Sequence, residues 1–131
     1  HSDSMMATRP VVLVGHSLGV HLIAHTAARL VDTKVRGAFL VSAPDLDTAV
    51  SAYPEIAGFA PVPSDPLPFP SFLIGSANDE LCTPDRSEAF ALDWGSEFHN
   101  AGEAGHINAE SGHGPWPEGM LMFARFLQRL G

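Results

Sequence analysis

A strand that runs straight into a tight turn and a helix constrains this chain more than any other sequence feature. Residues 10–15 read Pro-Val-Val-Leu-Val-Gly, and an uninterrupted β-branched run of this kind is typical of a parallel strand buried on both faces. Over residues 18–31, apolar positions recur at spacings of three and four, which predicts a helix with one apolar face. Ser17 therefore lies on the turn between a buried strand and a helix.

Strands and helices continue to alternate along the rest of the chain. The same patterns predict three further strands, over residues 37–41, 71–75 and 97–100, and two further helices, over residues 84–94 and 117–130. This alternation predicts an α/β fold of three layers, in which a parallel sheet carries helices on both faces. The proline-rich residues 54–70, between the second and third strands, are expected to hold little regular structure.

The length of the chain allows one hydrophobic core. With 131 residues, we expect a single domain over residues 9–131. Residues 1–8 are expected to be a disordered N-terminus that holds a short cloning remnant, with a natural start at Met5 or Met6.

Charge and apolar content exclude several kinds of partner. A net charge of −8 would repel phosphate backbones and anionic lipids, so neither nucleic acid nor a membrane is an expected partner. No apolar run approaches the roughly 18 residues of a spanning helix, and no signal-peptide pattern opens the chain. The single cysteine, Cys82, cannot form an internal disulfide, which is consistent with a reducing compartment. We therefore expect a soluble, cytoplasmic protein.

The turn after the first strand carries a nucleophile motif. Residues 15–19 read G-H-S-L-G and match G-x-S-x-G, in which the serine stands on a strained turn that exposes its hydroxyl above the sheet. Glycine on either side lets the strand and the helix approach without a Cβ clash. The backbone N–H of Leu18 would then point at the developing oxyanion. A plain tight turn is the alternative, so the motif needs partners elsewhere in the chain.

An acid follows the third predicted strand, in the chain order Ser, Asp, His that α/β-hydrolase sites use. Asp79 comes just after residues 71–75 and can reach the crevice at the carboxyl end of the sheet. Its rivals are Glu80, one position away, and Asp85, which suits a helix cap beside Pro84. A turn-capping role is the alternative for Asp79 itself. As a catalytic acid it would orient the imidazole and stabilise the imidazolium.

His106 is the expected general base. It lies in a glycine-bearing loop between the last predicted strand and the last predicted helix, where it would take the proton of Ser17. His113, seven positions downstream, is its nearest rival. We therefore predict a catalytic triad of Ser17, Asp79 and His106.

A metal site is the less favoured interpretation of two other histidines. His21 and His25 stand four apart on the first predicted helix, a spacing that can hold one ion. No H-E-x-x-H pattern and no obvious third ligand accompany them, so we expect neither a metal nor another cofactor. Cys82 is expected to be a buried or rim thiol near the site rather than a nucleophile.

Longer stretches of the chain resemble one family. The match covers the chain from about Arg9 to Leu130, and the blocks that carry it are Gly15–Gly19, Phe59–Pro63, Pro66–Pro70, Asn78–Asp79, Gly102–Gly112 and Gly114–Pro117. They resemble the YdeN-like and retinoblastoma-binding-protein-like serine hydrolases, and GEAGHINAESG is the most specific of them. The resemblance implies an α/β-hydrolase fold and assigns the triad to the same three residues.

The resemblance also implies a shortened N-terminal part. Members of the family begin with a further strand, a glycine-rich loop and a helix before the segment that opens here, and that loop is expected to supply the second oxyanion donor. Leu18 would then be the remaining donor. The strand over residues 11–14 would lie at a sheet edge with unpaired backbone groups, and we expect two copies to form a homodimer through it.

The expected function is hydrolysis of small acyl esters. A carboxylesterase-like serine hydrolase would use Ser17 as the nucleophile and pass through an acyl-enzyme without a cofactor, and an amide or peptide substrate is an open alternative. A different alternative is a catalytically weak or inactive domain that acts as a protein-interaction module. Five residues are candidates for the substrate pocket or, equally, for core packing: His16, Phe59, Leu67, Phe69 and Trp116.

Overall fold

A four-stranded parallel sheet forms the centre of the part of the chain that the structure describes. The structure is a computed structural model, and it describes residues 11–30, 34–52, 54–59, 62–107 and 117–130. The strands lie side by side in chain order, and they are β1 (Val11–His16), β2 (Val35–Val41), β3 (Ser71–Gly75) and β4 (Glu97–Asn100). Each pair of neighbours is parallel, so all four carboxyl ends meet at one edge of the sheet.

A helix follows each strand, and three of the four described α-helices lie where the sequence predicts them. Within the described residues the α-helices are α1 (Leu18–Thr26), α2 (Leu46–Ala52), α3 (Pro84–Trp94) and α4 (Pro117–Leu130), and short 3-10 segments cover Ala27–Leu30 and Pro54–Phe59. The helix expected over residues 18–31 thus ends its α-helical part at Thr26.

The sequence did not predict α2 or the 3-10 turn at Pro54–Phe59. Asp45 explains why α2 begins where it does. Its backbone carbonyl accepts a hydrogen bond from Ala49 N at 2.8 Å, and its carboxylate accepts one from Asp47 N at 3.2 Å. The acid therefore satisfies backbone groups of the first turn of the helix.

Alternate residues of the two central strands face opposite helix layers. One cluster joins β2 and β3 to α1 and α3 and includes Ala38, Leu40, Leu73, Val20, Ile23, Phe90 and Trp94. The other joins the same strands to α4 and includes Phe39, Val41, Phe72, Ile74 and Phe126. Because side chains alternate along a strand, helices cover both faces. The predicted three-layer architecture is confirmed.

Strand β1 lies at an edge of the sheet among the described residues. Val11 N donates to Lys34 O, and Ser17 N donates to Val41 O, each at 2.9 Å. The backbone groups of the intervening even-numbered residues therefore point away from β2, because successive residues of a strand alternate in direction. Val14 is 62% exposed on this edge.

Two further expectations concern a disordered N-terminus and the absence of a membrane-spanning helix. The predicted N-terminal remnant, residues 1–8, lies outside the described residues. None of the described helices combines the length and the apolar character needed to cross a bilayer.

Candidate active site

Ser17 stands on a strained turn between β1 and α1. Its backbone angles are φ 58° and ψ −125°, a conformation that a non-glycine residue adopts only where its surroundings enforce it. A Cβ on Gly15 would lie 3.1 Å from the backbone of Gly19, which explains why the strand and helix need glycine there. The Ser17 side chain makes no capping bond to α1, so its hydroxyl is available to other partners.

His106 connects Ser17 with Asp79. Its Nδ1 lies 2.8 Å from Asp79 Oδ2, and its Nε2 lies 2.8 Å from Ser17 Oγ. An ionised carboxylate can only accept hydrogen bonds, so Nδ1 carries the hydrogen and donates a hydrogen bond to Asp79. The Nε2 lone pair then accepts the hydroxyl hydrogen of Ser17. The three residues predicted from the sequence are therefore hydrogen-bonded in the order Ser, His, Asp.

Asp79 is buried and held in place by its own turn. Its side chain is 2% exposed, against 13% for that of His106. Oδ1 accepts a hydrogen bond from Leu81 N at 2.9 Å, so the second oxygen is the one directed at the imidazole. The rivals Glu80 and Asp85 are both exposed, and Asp85 lies in the first turn of α3.

A polar network ties the loop of His106 to the loop of Asp79. Ser76 Oγ accepts from Ala104 N at 3.1 Å, and Asn78 Oδ1 accepts from Gly105 N at 2.7 Å. Ser76 is 1% exposed, and its hydroxyl also lies 3.0 Å from Asn78 Oδ1. These bonds hold the backbone just before His106 against the turn that carries the acid.

Sequence reasoning did not assign a role to Ser76, and it used Asn78 only as part of a resemblance. The available signal was two short polar residues at alternate positions between a buried strand and the acid. Such residues commonly bind nearby backbone groups. The backbone groups that they bind are 27 and 28 positions away, a distance that local sequence patterns do not reveal.

His16, a candidate for the substrate pocket, lies beside His106 and is hydrogen-bonded to it. Its Nε2 is 3.0 Å from the backbone carbonyl of His106, and the centroids of the two rings are 5.1 Å apart. A carbonyl can only accept, so Nε2–H is the donor. His16 is an exposed residue at the end of β1.

Leu18 is the first residue of α1. The first N–H groups of a helix have no partner within it, and they carry the positive end of the helix dipole. The Leu18 N–H therefore adjoins Ser17 at a helix terminus suited to bind an anion.

The structure does not bring Leu67 and Phe69 to this site. Leu67 N donates to the carbonyl of Trp94, at the end of α3, and Phe69 belongs to the core beneath α1 and α3. Both precede β3 and so lie toward the amino edge of the sheet, opposite the carboxyl edge that holds Ser17. Phe69 is buried in this core and Leu67 is half-buried against it, because the strand direction places their segment there. The Phe59 side chain lies outside what the structure describes, as do Trp116 and the rival His113.

His21 is a buried residue of the core, whereas His25 is exposed. His21 Nε2 donates to the carbonyl of Pro44 at 2.6 Å, and burial lowers the pKa of its imidazole. Its Nδ1 is buried and has no hydrogen-bond partner among the residues that the structure describes. Among the described residues, no three His, Cys, Asp or Glu side chains form a group that could hold a metal ion.

Cys82 is a buried, free cysteine near the end of the Asp79 turn. Its sulfur lies 3.3 Å from Ser87 Oγ. Burial raises the pKa of the thiol to about 11. A thiol in this state is a poor nucleophile at neutral pH.

With its parallel sheet, its two helix layers and this strand-to-helix turn, the chain has the fold of an α/β hydrolase. It belongs to the serine hydrolase family, whose sequence profile matches residues 2–125. No curated protein sequence matches the chain.

Solved structures of several hydrolases share this fold. A YdeN-like hydrolase of Pectobacterium atrosepticum is 33% identical, with a TM-score of 0.79 over 98% of this chain and 65% of that protein. A hydrolase of the α/β superfamily from Xanthomonas campestris shares the fold at 23% identity, with a TM-score of 0.63 over 96% of this chain and 62% of that protein. The esterase domain of a Rhodothermus marinus protein shares it at 17% identity, with a TM-score of 0.62 over 93% of this chain and 62% of that protein. The chain thus spans slightly less than two thirds of each of these structures.

Proposed function

We propose that this serine hydrolase cleaves small acyl esters through an acyl-enzyme on Ser17. The observation that carries the proposal is the hydrogen-bonded array of Ser17, His106 and Asp79, with 2.8 Å at each of its two links. Nucleophilic serine catalysis needs a base within hydrogen-bond reach of the hydroxyl and a third group that orients the base. The array supplies both.

In the first half of the reaction, Ser17 Oγ attacks the ester carbonyl carbon while its proton passes to His106 Nε2. Asp79 accepts the Nδ1–H bond throughout and stabilises the imidazolium. The carbonyl oxygen becomes an oxyanion, which we assign to the Leu18 N–H at the start of α1. When the tetrahedral intermediate collapses, the bond to the alcohol oxygen breaks and the alcohol takes the proton from His106.

In the second half, water repeats these steps in place of serine. His106 Nε2 removes a proton from the water as its oxygen attacks the acyl carbon. Collapse of this intermediate breaks the bond to Ser17, whose Oγ regains the proton. The carboxylic acid leaves and the starting state is restored, so that no metal or organic cofactor takes part.

We favour esters over amides because an alcohol leaves a tetrahedral intermediate more readily than an amine does. The family and the Ser-His-Asp geometry support acyl transfer in general. Comparison of p-nitrophenyl acetate with longer p-nitrophenyl esters and with a p-nitroanilide would test the substrate class. Faster cleavage of the anilide than of any ester would contradict the assignment to carboxylesterases.

Covalent labelling by a fluorophosphonate tests the proposal directly. The reagent forms a stable phosphonyl ester with an activated serine, and mass spectrometry locates it. We expect one label on Ser17, lost in Ser17→Ala and His106→Ala. A matched control is Ser64→Ala, which alters an exposed serine of the proline-rich segment and should label as the parent does. A folded parent that takes up no label would refute the proposal.

We further propose that two copies of the chain pair along the open edge of β1. Among the described residues no strand pairs with this edge, which offers the backbone groups of Val12, Val14 and His16. The side chains of β1 include no acid, lysine or arginine. Edges of this kind readily add another strand, and a two-fold pairing needs no second sequence. If the site proves inactive, such pairing would support the alternative function as an interaction module.

We also propose that the protein works in the cytoplasm. The support is the state of Cys82, which is free and buried and would persist in a reducing compartment. Appearance of the full chain in a secreted or periplasmic fraction of its host would contradict this location.

A further inference from the structure

The loop that carries His106, residues 101–107, is bound on one side to the turn of the acid. Ser76 and Asn78 hold its backbone N–H groups, and both residues stand just before Asp79. Their bonds therefore set the position of the imidazole relative to the acid. They do not determine its distance from the nucleophile, which follows a different strand, β1.

On the side of the nucleophile, the loop is bound by His16. Its Nε2–H donates to the carbonyl of His106 at 3.0 Å, and the two rings are in contact at a tilt of 57°. His16 ends β1 beside Val41 and immediately precedes Ser17, whose N donates to Val41 O at 2.9 Å, so the residue that follows it is anchored to β2. Within the described residues, this is the one side-chain hydrogen bond between residues 15–19 and this loop, apart from the Ser17 to His106 bond itself.

We propose that His16 is a positioning residue, which holds the backbone of His106 at the distance that lets its imidazole accept the Ser17 proton. The inference rests on the proposed hydrolase function, because the distance matters only if that proton moves. Misplacing a reacting group by about 1 Å can reduce the rate about 10²-fold. The variable position of the G-x-S-x-G motif would then have a defined task in this chain.

Two substitutions of His16 distinguish the effect of its hydrogen-bond donor from the effect of its imidazole ring. His16→Ala removes the bond, whereas His16→Gln keeps an N–H donor at a similar reach from the backbone. We expect His16→Ala to lower both kcat for p-nitrophenyl acetate and the rate of fluorophosphonate labelling by roughly ten- to a hundredfold, with little change in KM. His16→Gln should recover most of that loss. A raised KM with an unchanged kcat would make His16 a wall of the substrate pocket, and a Gln variant as slow as the Ala variant would show that the donor is not what matters. Either result would overturn the proposal.

Amide hydrogen exchange gives a readout that does not depend on catalysis. We expect exchange in the peptide over residues 101–107 to be faster in His16→Ala than in the parent. His25→Ala is the matched control, since that histidine is exposed at the other end of α1. If the parent takes up no fluorophosphonate, the proposed function fails while the exchange experiment still decides whether His16 holds the loop. Unchanged exchange in His16→Ala would overturn the inference.

Discussion

Ser17 Oγ and His106 Nε2 lie 2.8 Å apart, although 89 positions separate the two residues in the chain. The parallel sheet makes this contact possible, because it collects the loops that follow β1, β3 and β4 at one edge. Ser17, Asp79 and His106 each follow one of these strands. The site therefore depends on strand order as much as on the three side chains.

Replacing the acid should abolish most of the activity while leaving the fold intact. Asp79→Asn leaves a group that can donate to Nδ1 of His106, which favours the wrong tautomer and removes the charge that stabilises the imidazolium. We expect kcat for p-nitrophenyl acetate to fall by about 10³–10⁴-fold. Asp85→Asn, on the exposed first turn of α3, should stay close to the parent. Because Asp79 also binds Leu81 N, a urea titration must show that the variant is folded. An active Asp79→Asn enzyme would exclude the triad mechanism.

The two glycines of the elbow should respond differently to alanine. A Cβ on Gly15 would lie 2.9 Å from Ile23 Cδ1 and 3.1 Å from the Gly19 backbone, whereas a Cβ on Gly19 would meet nothing within 4 Å. We expect Gly15→Ala to lower the free energy of unfolding by about 1–3 kcal/mol. Gly19→Ala should be neutral or raise it by up to about 1 kcal/mol, since alanine favours a helix. Urea unfolding of both variants checks this. Equal changes in the free energy of unfolding for the two variants would show that the close approach of β1 and α1 does not explain the glycine at position 15.

Much of this architecture could be predicted from the sequence because its strands and long helices have simple patterns. The run over residues 72–74 is continuously apolar and buried, as expected for a strand between two helix layers. The apolar run over residues 11–14 also forms a strand, but it is not buried on both faces as predicted, because β1 lies at an edge of the described sheet. Helix α2 escaped prediction because it is short and directly follows Asp45, whose backbone N–H donates to the carbonyl of Leu81. That contact depends on the tertiary fold, so no local pattern indicates it.

The reacting groups of the site could be predicted from the sequence, but the residues that hold these groups in place could not. Motif spacing and chain order were enough to select Ser17, Asp79 and His106, which the structure brings together. Patterns of apolar residues indicate burial but not the end of the sheet at which a residue is buried. For this reason the sequence alone does not decide whether Leu67 and Phe69 belong to the substrate pocket or to the core. The bonds made by Ser76, Asn78 and His16 join distant loops and required the structure.

Protonation of His21 should weaken the fold as the pH falls. Burial is the main reason that the pKa of this imidazole lies below its ordinary value of 6.5, and the charges of His25 and Arg86 lower it further. The bond to Pro44 and the charge of Asp45 raise the pKa and oppose part of this shift. The unfolded chain therefore binds a proton more readily than the folded chain. The contribution of His21 to the free energy of unfolding is therefore fully present above about pH 6.5, the pKa in the unfolded chain. It is lost as the pH falls through the lower pKa of the folded chain.

We expect the free energy of unfolding to fall between about pH 7.5 and 5.5 by more in the parent than in His21→Gln. The difference should be at most about 1.4 kcal/mol per pH unit. Glutamine keeps a donor for the Pro44 carbonyl but does not titrate, and the other histidines titrate in both proteins. Parallel urea titrations across this range measure the difference, and identical pH slopes would show that His21 does not titrate on unfolding.

The thiol of Cys82 should be unreactive in the folded protein. With its pKa raised to about 11 by burial, roughly one thiol in a thousand is ionised at pH 8, and only the thiolate attacks a disulfide reagent. We expect the aromatic disulfide reagent DTNB to react at least about a hundredfold more slowly with the native chain than with the chain in urea. Fluorophosphonate labelling of Ser17 should be unchanged in Cys82→Ser if that variant is folded. Rapid reaction of the native thiol would contradict its burial.

A charge on the open edge of β1 should prevent two copies from pairing. Val14 is 62% exposed, and its backbone N–H and carbonyl point away from β2. A lysine there would bring two like charges together across a two-fold strand pair, which is one way that natural edges avoid association. Sedimentation equilibrium over a range of concentrations should show a dimer for the parent and a monomer for Val14→Lys. Leu92→Lys is the matched control, because Leu92 is 81% exposed on α3 and its replacement should leave the dimer intact. A parent that stays monomeric at every concentration, or a Val14→Lys variant that still dimerises, would rule out pairing through β1.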